Sequence, residues 1–130
     1  MIYKINKLCV LILFSMCVAL STTVSGEINF TDIYTDFFGY CEQLEPGDII
    51  TAYDSDGILC GKFEVKESGK YGFMHVYGDD ITSPNLDEGP VEGDILTFYV
   101  NDIKAITLNQ RYIVWSTDTA KQRIDLEVRQ

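Results

Sequence analysis

Acidic residues crowd one short stretch of the chain, among them Asp79, Asp80, Asp87, Glu88 and Asp94. Carboxylates at this density repel one another unless protons or cations offset them, and an oxygen-rich cluster suits a hard divalent ion. Calcium is the cofactor such a loop would take, because it accepts about six to eight oxygen ligands in flexible geometry. A second acidic turn, Asp54-Ser55-Asp56-Gly57, departs from EF-hand spacing: Ile58 stands where the third acidic ligand belongs, and the glycine arrives too early. Asp and Gly are residues that any tight turn selects, so Asp54 and Asp56 read as turn formers.

Nucleophilic chemistry finds little support. The sole histidine, His75, sits among aromatics, and Ser68 lacks the glycine-flanked elbow that exposes a catalytic serine. A glycosidase needs two carboxylates facing each other across a sugar-binding groove, which a domain this small seldom forms. Cys41 and Cys60 form an even pair, which in a small exported domain predicts a disulfide. Closing that loop of about 20 residues would contribute roughly 3 kcal/mol. With one histidine and two cysteines, a structural zinc site is not assembled. No catalytic residue is assigned, and the chain reads as non-enzymatic.

Tyr71, Phe73, His75 and Tyr77 fall at alternate positions of one run. Exposed aromatic rows stack on sugar rings or anchor protein partners. Tyr71, His75 and Tyr77 are therefore the candidate ligand-binding residues, whereas Phe73 and Trp115 read as core. Asn29-Phe30-Thr31 fits a glycosylation sequon, which requires Asn29 to be at the surface.

These residues need a frame, and the pattern is all β. Residues 28–40 are rich in β-branched and aromatic types and predict a first strand or two short ones. Strands over 48–53 and 58–66 flank the Asp54–Gly57 turn. In the second, Leu59, Gly61, Phe63 and Val65 share one face, and Cys60 falls with Lys62, Glu64 and Lys66 on the other. A strand over 71–77 precedes a long loop over 78–93, rich in Gly, Pro and acid. Further strands follow at 94–100, 103–108, 111–116 and 122–129, with Asn101-Asp102 as a two-residue hairpin turn. In the last strand Ile124, Leu126 and Val128 point inward. Seven or eight short strands, regular turn signals and no helical periodicity predict an antiparallel β-sandwich.

The first 26 residues stand apart. Lys4 and Lys7 precede an apolar run over 8–20, and small or polar residues follow. This is the pattern of a cleaved secretory signal peptide, and the run is short of the roughly 20 residues that span a bilayer. The leader would take Cys9 and Cys17 with it, leaving residues 27–130 as a single domain. It also removes two lysines, so eight basic residues face twenty acidic ones. That balance excludes nucleic acid and anionic membrane surfaces as partners. The expected location is extracellular or at the cell surface.

Gly47-Asp48 before a strand, then AYDSDGILCGKFEV and GKYG, resembles the prealbumin-like sandwich modules of secreted and cell-surface proteins, including carboxypeptidase-regulatory-like and Cna B-type domains. The resemblance covers roughly residues 47–105. It implies a β-sandwich used for structure or binding. The last strand offers no asparagine for the internal Lys–Asn bond of Cna B-type domains, so none is predicted. The expected function is a non-catalytic structural or adhesive module, stabilised by calcium, that binds an extracellular protein. The alternatives are a carbohydrate-binding module using an aromatic sheet face and, less favoured, a small secreted hydrolase.

Overall fold

The structure, a computed structural model, describes residues 26–83 and 85–129. The leader assigned to 1–26, with Cys9 and Cys17, falls outside them up to residue 25. The described residues contain ten strands and no helix. In chain order the strands are β1 (Tyr34–Tyr40), β2 (Ile49–Tyr53), β3 (Leu59–Glu64), β4 (Lys70–Tyr77), β5 (Ile95–Val100), β6 (Ile103–Lys104), β7 (Ile106–Thr107), β8 (Ile113–Val114), β9 (Lys121–Arg123) and β10 (Leu126–Glu127).

The all-β expectation holds, and local chemistry explains the strand ends. Asn101 and Asp102 both adopt positive φ, 47° and 67°, as a tight two-residue hairpin between β5 and β6 requires. The acidic segment between Tyr77 and Ile95 contains no strand among its described residues. The predicted final strand is broken into β9 and β10, although Ile124 and Leu126 are buried as its alternation required.

One sheet carries the fold, ordered β6-β5-β2-β3-β4-β1-β9, with β8 also pairing β5; β7 and β10 form a separate two-stranded ribbon. The sheet curls on itself. Three strands separate β1 from β5 in hydrogen-bonding order, yet Phe37 and Phe98 meet edge to face with ring centroids 5.4 Å apart. Tyr71 joins them, 6.5 Å from Phe98. Removing either phenylalanine ring would cost about 3–5 kcal/mol, a large part of the ~5–15 kcal/mol that holds an ordinary domain together. This aromatic contact therefore helps to tie distant strands of the sheet together across the core.

The expectation of a purely antiparallel sheet is corrected at one pairing. β9 runs parallel to β1, aligning Asp36 with Lys121 and Phe38 with Arg123. A parallel neighbour needs a long connection, and the chain between β1 and β9 supplies one. Thr35 Oγ1 donates to Ser116 O at 2.6 Å, and Asp36 N donates to Ala120 O at 3.2 Å, which guides the returning chain alongside β1.

Asp125 then locks the return. Its Oδ1 accepts from Tyr40 N at 3.0 Å, and Arg123 reaches both its oxygens, at 3.2 and 3.0 Å. Arg123 holds the Asp125 carboxyl below the usual carboxylate range. A carboxylate with a lowered folded-state pKa stabilises the fold above its unfolded pKa, and that contribution is lost as pH falls through the folded value. Asp125→Asn should therefore melt below wild type at neutral pH, with the gap closing once pH drops below about 4. Thermal melts across that range check this; a gap that stays constant with pH would contradict it.

Candidate binding face and acidic cluster

β4 decides which aromatics are outside. Phe37 pairs with Met74 and Gly39 pairs with Tyr71, so Gly72 and Phe73 together oppose the single residue Phe38. This is a β-bulge, which turns the side chains on one flank over relative to the other. Gly72 makes it possible: its φ is +115°, and a Cβ there would lie 2.4 Å from Phe38 Cβ.

The consequence divides the predicted ligand residues. Tyr71 is corrected to the core: it is 5% exposed, and its hydroxyl donates to Ile124 O at 2.7 Å. Burial holds that hydroxyl protonated well above its usual range. Phe73, expected in the core, is instead half exposed on the outer face. His75 is exposed and Tyr77 half-buried, both on the outer side. Trp115 is buried as expected, its indole N–H donating to Val76 O at 3.1 Å.

Three strands build this outer face. β1 contributes Tyr34, Asp36, Phe38 and Tyr40, β4 contributes Phe73, His75 and Tyr77, and β9 contributes Lys121 and Arg123. Tyr34 packs on both His75 and Tyr77, at 4.6 and 5.9 Å, and Phe38 packs on Phe73 at 5.4 Å. The ammonium of Lys121 lies 4.7 Å over the Phe73 ring, and the Arg123 guanidinium 4.9 Å over Tyr40. His75 Nδ1 meets Asp36 Oδ1 in a close pair. Phe30 extends the row, edge-on to Tyr77 at 5.1 Å, and beside it Asn29 is exposed as a sequon position requires. Period-2 reading missed Tyr34, Phe38 and Tyr40, whose only signal was the Tyr/Phe density of 34–40, which strand propensity explains equally well; Phe73 lay in the alternating row but read as core.

Ser68 and His75 are not brought together. The Ser68 hydroxyl donates to Glu45 at 2.8 Å, in the turn before β4, whereas His75 lies near the strand's other end.

The acidic loop is anchored at its base. Asp79 N donates to Pro90 O at 2.9 Å, and Gly89 packs so closely that a Cβ on it would lie 2.3 Å from Tyr77 O. Most of its acids serve the loop itself. Asp79 Oδ1 accepts from Glu88 N, Asp80 Oδ1 from Thr82, and Asp94 Oδ2 from Val91 N. Glu88 Oε2 accepts from Asp80 N at 3.3 Å. Asp87 instead crosses to the β2–β3 turn. It brings a carboxylate oxygen within 4.8 Å of oxygens on both Asp54 and Asp56, which makes the one group of three potential metal ligands among the described residues. Partial desolvation against the turn, followed by the proximity of Asp54 and a hydrogen bond with Asp56, raises the Asp87 carboxyl above its usual range.

The predicted Cys41–Cys60 disulfide is corrected: both residues are free, buried thiols. Tyr40 aligns with Lys70 and Gly61 with Val76, six residues further along β4, or roughly 20 Å at ~3.3 Å per residue. A disulfide needs Cα atoms within about 7 Å. A second bulge explains the wrong face. Ala52 pairs with Gly61 and Tyr53 with Leu59, so Cys60 is the unpaired extra residue and turns inward, its thiol 3.4 Å from Ala52 O. Burial pushes the Cys60 thiol up to about 12 and raises that of Cys41. Neither thiol is activated for nucleophilic attack.

No protein family, curated protein or solved structure matches the chain.

Alkylation followed by peptide mapping checks the thiols. Cys41 and Cys60 should resist reagent in the native protein and both react after unfolding without reductant. A Cys41–Cys60 cross-linked peptide would contradict the assignment.

Proposed function

We propose that the chain is a secreted, non-catalytic binding module, a prealbumin-like β-sandwich that presents the outer β1–β4–β9 face to an extracellular protein partner. The single observation carrying this reading is the cluster of outward Tyr34, Phe38, Tyr40, Phe73, His75 and Tyr77 with Lys121 and Arg123 stacked on it. Aromatic residues and arginine are the types that dominate binding energy at protein interfaces. A monomeric soluble protein rarely leaves so contiguous an aromatic surface uncovered. The Phe37–Phe98 contact across the core supports the sandwich reading, since it joins the inner faces of strands distant in the sheet.

Ring geometry favours protein over polysaccharide. A sugar-stacking platform wants rings lying in one plane, but neighbours on this face are turned against each other by 57° (Tyr34–Tyr77), 68° (Phe38–Phe73) and 86° (Phe30–Tyr77). Such a surface is rugged, with gaps that side chains of a partner can fill. The His75–Asp36 pair gives it a polar centre.

Affinity capture from extracellular fractions tests the reading, comparing wild type with Phe73→Ala/Tyr77→Ala and a glycan array run in parallel. The expected result is a protein enriched by wild type, whose binding the double variant weakens about thirtyfold or more, the effect of losing roughly 2 kcal/mol at an interface hot spot. Its melting temperature should stay near wild type, since Phe73 lies outside the core. Binding to glycans alone, or capture untouched by the substitutions, would overturn the proposal.

A further inference from the structure

We propose that Asp54, Asp56 and Asp87 form a calcium-binding site that clamps the acidic loop onto the β2–β3 turn. The three residues come from two segments more than thirty positions apart in sequence, so the site exists only in the folded chain.

Asp54 anchors the site. It is 4% exposed, a rare degree of burial for an aspartate. Its Oδ1 is fully occupied, accepting from Asp56 N and Ile58 N, both at 2.9 Å. These two bonds shape the turn and give Asp54 a structural task. They leave Oδ2, which is also buried and has no hydrogen-bond partner. An unpaired buried carboxylate oxygen costs more than a neutral group left unpaired, so a fold that keeps one needs a positive charge to meet it. Among the described residues, no basic side chain lies within 4.0 Å of Asp54, Asp56 or Asp87.

The spacing suits an ion. Two oxygens bound to one calcium at about 2.4 Å can be no further apart than about 4.8 Å. The Asp54, Asp56 and Asp87 oxygens all lie within 4.8 Å of one another. All three donors are carboxylate oxygens, the ligand type of hard cations rather than of zinc or copper. The exposed Asp56 and Asp87 leave room for the water ligands that complete a calcium shell. Close packing of Gly89 against Tyr77 fixes the loop two residues from Asp87 and delivers its carboxylate to the turn. The cation thus replaces mutual repulsion with a bridge between β2–β3 and the 79–94 loop.

This site is separate from the aromatic face and stands or falls independently of it. Calorimetric titration of the purified, chelator-treated protein with calcium chloride and, separately, magnesium chloride tests it. Calcium should saturate a single site at about 10⁻⁴–10⁻³ M, the range of extracellular calcium modules, and raise the melting temperature. Asp87→Asn, an exposed loop substitution that leaves the Asp54 turn intact, should weaken calcium binding roughly tenfold or more while melting like wild type in chelator. Asp80→Asn, on an acid occupied by Thr82, should bind calcium as wild type does. Calcium failing to saturate by about 10 mM would overturn the proposal. So would equal losses in the Asp80 and Asp87 variants, or magnesium binding as tightly as calcium.

Discussion

Two aromatic layers of this protein are separated by one offset. At the middle of β4, Gly72 and Phe73 share a single opposite residue, Phe38. Before the offset Tyr71 faces the core and meets Phe98; after it Met74 and Val76 face the core, while Phe73, His75 and Tyr77 face out. Without that extra residue, strict alternation would place Tyr71, Phe73, His75 and Tyr77 together. The core would lose the Tyr71 hydroxyl bond to Ile124 O, or the outer face would lose its rings. The close approach of Gly72 to Phe38 admits no side chain, so the offset is anchored at that position.

Much of the scaffold was legible in the residues. The Asp54–Gly57 and Asn101-Asp102 turns, the strands around them and the inward Ile124 and Leu126 follow from turn chemistry and two-residue periodicity. What escaped that reading shares a physical cause. Both bulges insert a residue beside a strand glycine, Gly61 or Gly72, that strict alternation passes over, and each misplaced a residue of interest: Cys60 at one, Tyr71 and Phe73 at the other. A parallel β9 was equally invisible, since pairing direction depends on the path of the chain and not on the three residues involved.

The acidic segment shows the same limit in another form. Its composition marked it as a loop rich in carboxylates, but density alone does not reveal which of them converge. Backbone N–H groups of the loop claim Asp79, Asp80 and Asp94, whereas Asp87 reaches across to the Asp54–Asp56 turn, which reads, in isolation, as ordinary turn chemistry. Tyr77 links the two regions of interest. It ends the strand carrying the aromatic face, and its carbonyl is the surface on which Gly89 packs to hold the loop. A clamped loop would therefore steady the end of β4 from which the aromatic face projects.

Hydroxyl-radical footprinting with mass spectrometry tests the division of aromatics most directly. Side-chain labelling follows solvent access, so Tyr34, Tyr40 and Phe73 should label readily, while Tyr71, Phe37, Phe98 and Trp115 stay protected until the protein unfolds. Protection of Phe73 together with labelling of Tyr71 would mean that β4 keeps its alternation, and would contradict the offset on which the outward aromatic face rests.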